Sequence, residues 1–319
     1  MERREFLIQI AKASAAALAV SGVGAWLAHR VPLSRETRYH IRDFSVPRDS
    51  LARDIVVIRG KSVSTMLETA LGAMGGLDKF VSRGDRVLIK PNVGFDRPPV
   101  LGATTSPELV GALVGLCLAA GAREVIVTDN PINSPSACFA RSGIARAVEE
   151  AGGRVHYLSE RDFRETAVGG VAIKDFPVAA GVLDDVNRVI GVPTLKDHNL
   201  SGMSFAMKNW YGLLGRGRNR FHQDIHNVIA DLALLIRPTL VIGDATRILM
   251  RNGPTGGSPA DVKPGGTIIV STDVVAVDAL GIQLLERTAA DCPSIALAAA
   301  RGIGSADPKA LRYEEVAVG

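Results

Sequence analysis

The length, composition and charge of the chain exclude several classes of protein. Its 319 residues are 47% hydrophobic and 22% charged, which is the composition of a globular protein and not of a disordered chain or a coiled coil. Only one long uncharged apolar run occurs, which excludes a multi-span membrane protein. The formal net charge of +4 lies entirely in residues 1–42, and the rest of the chain is formally neutral. No nucleic-acid partner is therefore expected, since such a partner needs a basic surface on the folded part.

Residues 1–28 have the layout of a bacterial export signal. Arg3 and Arg4 precede an uncharged run from Ala13 to Ala28, and this order resembles a twin-arginine address. The run is short for a membrane span of about 20 residues, and cleavage after Ala25 and retention as an N-terminal anchor both stay open. We therefore predict that the twin-arginine export machinery is a partner. The expected location is periplasmic or otherwise exported, with membrane contact only through an uncleaved leader.

The three cysteines, Cys117, Cys138 and Cys292, lie far apart and form no CxxC pair. This spacing predicts no cysteine-ligated iron–sulfur cluster and no four-cysteine zinc site within the chain. The sequence indicates no other particular cofactor.

After a predicted linker at residues 29–53, apolar runs of strand length alternate with helical patterns, which predicts one α/β domain over residues 54–319. The expected strands are Ile55–Arg59, Arg86–Lys90, Glu124–Thr128, Val155–Leu158, Arg188–Val192, Thr239–Gly243 and Thr267–Ser271, and the early helices are Ser62–Val81, Ser106–Ala120 and Ser136–Ala151. Alternation of this kind favours a mainly parallel sheet with helices on both faces, a three-layer, Rossmann-like fold.

Polar side chains follow several of the predicted strands. Lys90 and Asn92 follow one strand, Lys196 and His198 another, and Asp244 a third. Because open parallel sheets bind ligands at the carboxyl ends of their strands, we expect these groups along one rim. A fourth strand ends in Asp-Asn-Pro at residues 129–131, which taken alone is an ordinary turn.

Residues 203–214 carry apolar side chains on every face of a predicted helix, so Lys208 and Asn209 would be buried polar groups. A buried ammonium needs an anion or loses its proton more readily. Lys208 is therefore expected either to pair with an internal carboxylate or to bind an anion or transfer a proton.

The segment after this helix supplies Arg216 and Arg218, whose guanidinium groups can grip a carboxylate or a phosphate. A solvated basic loop is the equal alternative. His222 and His226, four residues apart, are expected together at the border of the core. Hydrogen-bonding imidazoles are favoured there, and a metal site that adds His198 or Asp244 is the alternative.

Two later segments have simpler interpretations. Asp273 precedes a helical pattern at Val274–Arg287 and is expected to be its N-cap. The glycine- and proline-rich residues 251–259 are either a surface excursion or a lid over the strand ends.

The sequence resembles the bacterial and archaeal family called domain of unknown function 362. The resemblance runs from about Ile55 to Gly304, and the motifs that carry it are Lys90-Pro-Asn92, Thr105-Ser-Pro-Glu-Leu-Val110, Pro193-Thr-Leu-Lys-Asp-His198, Met207-Lys-Asn209 and Asp273-Val-Val-Ala-Val-Asp278. It implies a twin-arginine-exported member that lacks the ferredoxin-like cysteine module of other relatives. It supports the fold and the positions of the motifs, and it implies no particular reaction.

The leading hypothesis is an exported enzyme that acts on a small anionic substrate by acid–base chemistry. Lys196, His198 and Lys208 are the predicted catalytic residues, and Lys90, Asn92, Asn209, Arg216, Arg218 and Asp244 are the predicted substrate-binding residues. The alternatives are a non-catalytic solute-binding or maturation protein and a metal-dependent hydrolase built on His198, His222 and His226.

Overall fold

The structure is a computed structural model that describes residue 5 and residues 38–319. The chain divides into the units Met1–Arg38 and Tyr39–Gly319, and the fold given below is that of the second unit. The predicted export signal, apart from Glu5, and the first part of the predicted linker lie outside the described residues. Over the part of the chain that the structure describes, no helix combines the length and apolar character needed to cross a membrane.

Strands and helices alternate through this unit. The strands are Ile55–Arg59 (β1), Arg86–Pro91 (β2), Glu124–Val127 (β3), Arg154–Val155 (β4), Arg164–Ala167 (β5), Asp175–Val178 (β6), Arg188–Val192 (β7), Thr194–His198 (β8), Gly202–Ser204 (β9), Leu240–Leu249 (β10), Val262–Ser271 (β11) and Tyr313–Ala317 (β12). The α-helices are Val63–Ala73 (α1), Pro107–Ala119 (α2), Pro135–Arg141 (α3), Ile144–Glu150 (α4), Gly181–Asp184 (α5), Ala206–Asn209 (α6), Ile225–Leu235 (α7), Val274–Leu284 (α8) and Ser294–Ala300 (α9).

The central strands are apolar on both sides because helices cover both faces of the sheet. In β2, Leu88 packs into one apolar core, whereas Val87 and Ile89 pack into the other. Successive side chains of a strand point to opposite faces, so this alternation assigns each core to one face. Helices α1, α2 and α4 contribute to the second core, and α7, α8 and α9 to the first. The predicted three-layer α/β fold is confirmed.

The main sheet has the strand order β12-β1-β11-β10-β7-β2-β3-β4, with β8 beside β10 and β9 beside β8. Strands β10, β7, β2, β3 and β4 are parallel neighbours. Strand β11 is antiparallel to both β10 and β1, so the sheet is mixed. The reason is local: the chain returns from β10 to β11 through a loop with no crossover helix, and a direct reversal makes antiparallel neighbours.

The second half of the predicted linker is packed against the domain. Phe44, Val46 and Leu51 are buried, and the Phe44 carbonyl accepts a hydrogen bond from Thr239 Oγ1 at 2.9 Å. Phe44 packs into the first apolar core, and Val46 and Leu51 pack into the second. The compact unit therefore starts at Tyr39, before the expected domain start at residue 54.

The predicted helix over residues 203–214 is wrong in its first part. Met203 lies in β9, α6 covers only Ala206–Asn209, and a 3₁₀ turn follows at Trp210–Leu213. The buried carboxylate of Asp278 accepts the backbone N–H groups of Ala206 and Met207 and so fixes the start of the helix. Asp273 caps α8 through the N–H groups of Val275 and Ala276, which confirms the predicted N-cap.

Candidate functional site

A cleft of about 200 Å³ lies at the carboxyl ends of β2 and β3 and beside β8. It is lined by Asn92, Gly94, Phe95, Asp129, Asn130, Ile132, Lys196, His198, Asn199, Leu200, Ser204, Lys208, Asn209, Tyr211, Gly212, Arg218, Asn219, His222 and Pro254. Asp129 is the one carboxylate in this lining, whereas Lys196, Lys208 and Arg218 are cations. The cleft therefore carries an excess of positive charge.

Lys90 and Asp129 form a buried ion pair at the edge of the cleft, and Asp129 lines it. Lys90 Nζ lies 2.7 Å from Asp129 Oδ1, and both side chains are buried. The same ammonium donates to the Pro91 carbonyl and to Asn209 Oδ1, while Asp129 accepts the N–H groups of Val93 and Asn130. Burial lowers the pKa of Lys90, and the Asp129 carboxylate opposes that lowering. All three N–H groups of the Lys90 ammonium are used within the protein, so Lys90 supports the site without facing a ligand.

Gly212 permits the close approach of the 3₁₀ turn to this pair. A Cβ at position 212 would lie 1.8 Å from Asp129 Oδ1 and 2.7 Å from Lys90 Nζ. A side chain there would displace the ion pair. Glycine is therefore required because the backbone lies so close to the pair, and not because of an unusual backbone angle.

Lys196 points from β8 into the cleft with only neutral acceptors around it. Its Nζ donates to Asn92 Oδ1 at 2.9 Å and to the Ala103 carbonyl, and it lies 5.0 Å from the centre of the Phe95 ring. Burial, together with the neighbouring Lys208 ammonium, lowers the pKa of Lys196 to about 7. A large fraction of this side chain is therefore a neutral amine at neutral pH.

His198 follows Lys196 by two residues on the same strand, so both side chains lie on one face of β8. The backbone N–H groups of Leu200 and Ser201 donate to His198 Nδ1 at 3.2 and 3.4 Å. Nδ1 is thus an acceptor, which places the ring proton on Nε2. Burial and the Lys208 and Lys196 ammonium groups lower the pKa of His198 to about 2. His198 is therefore a neutral imidazole at neutral pH, and its Nε2–H is free to act as a hydrogen-bond donor.

The Lys208 ammonium has no charged partner among the residues that the structure describes. In the described chain no hydrogen bond or ion pair reaches its ammonium, which lies 4.9 Å from the centre of the Tyr211 ring. Burial and the nearby Arg218 and Lys90 charges lower the pKa of Lys208 to about 8. Asp129, the one carboxylate that lines the cleft, is paired with Lys90.

Arg218, at the start of the 3₁₀ turn Arg218–Asp224, also lines the cleft. Its guanidinium donates to the carbonyl oxygens of Tyr211, Leu214, Asn130 and Pro131, and Tyr211 Oη donates back to the Arg218 carbonyl at 2.7 Å. These contacts fix the cation without neutralising it, since carbonyl groups carry no net charge.

Other predicted residues lie elsewhere. Asp244 is buried inside β10 and accepts hydrogen bonds from Ser106 and Thr246, outside the cleft. Arg216 is exposed and pairs with Glu160 at 2.7 Å. The geometry thus assigns Asp244 to support of the start of α2 and Arg216 to the surface.

The two histidines of the metal alternative are not brought together in the cleft. His222 lines it, but His226 does not. The helix α7 begins at Ile225 and a 3₁₀ turn covers Arg218–Asp224, so the regular helical angle assumed for the pair does not apply. Within residues 38–319 no group of three or more His, Cys, Asp or Glu side chains is placed to hold a metal ion.

Sequence reasoning missed Asp129, Tyr211 and Phe95. Asp129 directly follows a predicted strand, but aspartate is common in turns, so a turn was enough to explain its position. Pro254, from the predicted loop at residues 251–259, also lines the cleft. The Gly253 N–H donates to Asp197 on β8 at 2.8 Å, which holds this loop against the site.

The fold and the cleft together define an α/β protein with a cationic cleft at the ends of its parallel strands. A family model described as domain of unknown function, DUF362, matches residues 87–283. A Synechocystis protein described as thylakoid-associated protein sll1697 is 30% identical over 254 residues, which is 74% of each chain. The chain belongs to the DUF362 family.

A crystal structure of a Thermotoga maritima protein, determined as a structural genomics target, is also similar. It has a TM-score of 0.39 and 11% identity, and the match covers 75% of this chain but only 58% of that one.

Proposed function

We propose that this protein is an enzyme that binds a small organic anion in the cleft and acts on it through Lys196. The proposal rests on Lys208 and Arg218, two cations of the cleft, because the one carboxylate in the lining, Asp129, is already paired with Lys90. An uncompensated buried charge is costly, and a bound anion would remove that cost. Lys208 and Arg218 would hold the anion, Lys196 would supply a neutral amine, and His198 Nε2–H would donate to a ligand oxygen.

The second part of the proposal is the place of action. The twin-arginine pattern in residues 1–28 supports export to the periplasm. The relative described as thylakoid-associated is in keeping with action at or beyond a membrane.

Calorimetric titration with acetate, succinate, citrate and inorganic phosphate tests binding, with Lys208→Met as the cleft variant. The matched control is Lys79→Met, which removes an exposed lysine that does not line the cleft. We expect binding that Lys208→Met weakens and Lys79→Met leaves unchanged. Failure of every anion to bind, or equal affinities for the two variants, would contradict the proposal.

Turnover is tested separately by NMR in D₂O, which reports exchange of carbon-bound hydrogen in a bound organic acid. Exchange that needs Lys196 supports an enzyme. Binding without exchange or any product would assign the same cleft to a solute-binding protein instead.

A further inference from the structure

We propose that Lys196 is a nucleophile that forms an imine with the carbonyl carbon of a small oxo acid held in the cleft. This inference rests on the proposed function, because the carboxylate of the oxo acid is the anion that Lys208 and Arg218 would bind.

The surroundings of Lys196 suit a neutral amine. Its two hydrogen bonds go to Asn92 Oδ1 and to the Ala103 carbonyl, and both acceptors are uncharged. A neutral amine has two N–H groups for these two acceptors and one lone pair for the remaining direction. Lys90 shows the contrast within the same site, since it has three acceptors and one is a carboxylate. The protein thus stabilises the charge of one lysine and leaves the other able to act as a nucleophile.

The neighbouring charges strengthen the assignment. A lysine becomes nucleophilic when it is desolvated or lies beside another cation. Lys196 meets both conditions, because it is buried and the Lys208 charge lowers its pKa. The Asp129 carboxylate raises that pKa and the Lys90 charge lowers it, so these two effects oppose each other. Burial is the largest cause of the lowered pKa of Lys196, and a bound ligand that expels water from the cleft would keep Lys196 buried.

The reaction needs no oxidant, reductant or added group. The Lys196 lone pair attacks the carbonyl carbon, and the carbon–oxygen π electrons move to oxygen. A proton passes from nitrogen to that oxygen to give a carbinolamine, and loss of water then leaves the carbon–nitrogen double bond. The neutral His198 Nε2–H can donate a hydrogen bond to the same oxygen as its negative charge develops.

The experiment is reductive trapping. The full chain is incubated with pyruvate, 2-oxoglutarate or phenylpyruvate and sodium cyanoborohydride, and peptide mapping by mass spectrometry locates the stable secondary amine. At neutral pH the neutral-amine fraction of a lysine with a pKa of about 7 is about a thousandfold greater than that of an ordinary exposed lysine. We expect Lys196 to carry at least about ten times more adduct than any exposed lysine. Acetone, which lacks the carboxylate, should label Lys196 less.

Three variants sharpen the test. Lys196→Met should lose the adduct, and Lys79→Met should keep it. Asn92→Asp changes little in shape but places a carboxylate within 2.9 Å of the Lys196 amine, so it should keep Lys196 protonated and lower labelling about tenfold or more. Peptide mapping of the parent protein, which carries no substitution, identifies the labelled lysine even where a variant folds poorly.

The outcomes separate this inference from the proposed function. Lys208-dependent binding of the oxo acids without an adduct on Lys196 would overturn the imine and leave the anion site standing. Equal labelling of Lys196 and exposed lysines would overturn it too. Absence of any anion binding would end both proposals.

Discussion

Replacing Lys208 with Met separates a binding lysine from a structural one, because it keeps much of the apolar stem and removes the charge. The described chain offers the ammonium no hydrogen bond or ion pair, and the ammonium lies 4.9 Å from the centre of the Tyr211 ring. Loss of that cation–π contact costs about 0.5–2 kcal/mol. Against this, the variant relieves the repulsion from Arg218 and Lys90.

The size of that relief follows from the pKa of Lys208. A fall from 10.5 to about 8 corresponds to about 3 kcal/mol, which is an upper bound because the side chain is only partly buried. Below the folded pKa both the folded and unfolded chains hold the proton, so the penalty is fully present at neutral pH. It fades as the pH rises from about 8 toward 10.5, where the folded state releases its proton first. The Lys208→Met variant should therefore be as stable as the parent protein at neutral pH, or more stable by about 1 kcal/mol.

Binding should respond in the opposite direction. Loss of a hydrogen bond to a charged group costs about 1.5–3 kcal/mol, or about 10- to 150-fold in Kd. Affinity for the anion should also fall in the parent protein as the pH rises through about 8, and that fall should disappear in the variant. Urea unfolding and calorimetric titration of the same preparations measure both quantities. A marked decrease in the free energy of unfolding of Lys208→Met with unchanged anion affinity would refute the reasoning and make Lys208 a structural residue.

Three further results are expected. Asp129→Asn leaves Lys90 buried without its counter-charge and should cost about 3–5 kcal/mol in urea unfolding; a stability close to that of the parent would contradict the ion-pair role. Burial raises the pKa of Asp278 to about 7, so this group lowers stability as the pH rises from about 4 to 7. Thermal melts of Asp278→Asn should lack that decline, and an unchanged pH profile would show that Asp278 does not titrate in this range. Replacing Arg3 and Arg4 with two lysines should stop export while the domain still melts normally; the double variant appearing outside the cytoplasm as before would exclude a twin-arginine address.

Most of the fold could be predicted because the strands are short, apolar and separated by helical patterns. Strands Ile55–Arg59 and Arg188–Val192 have the predicted bounds. The reversal into β11 could not be predicted, since the loop at residues 250–261 shows no helical pattern but also does not specify its direction. The helix predicted over residues 203–214 failed for a tertiary reason: the carboxylate that fixes its start lies more than 60 residues later in the chain, at Asp278.

Residues of the candidate site could be predicted from the sequence where a residue type was unusual for its position. A lysine directly after buried strand residues has little turn preference, and this singled out Lys90 and Lys196. Asp129 and Asp244 are both suited to turns, and only the structure shows that Asp129 faces the cleft while Asp244 supports α2.

The three lysines of the site differ in their acceptors, which sequence alone does not reveal. Lys90 has a carboxylate, Lys196 has two neutral acceptors, and the described chain gives Lys208 an aromatic ring. A carboxylate stabilises the charged form, whereas neutral acceptors serve an amine and an ammonium alike. The single carboxylate of the cleft therefore decides which lysine is structural. Because Asp129 is engaged by Lys90, we propose that a bound anion meets the charge of Lys208 and reaches Lys196, which lines the same cleft.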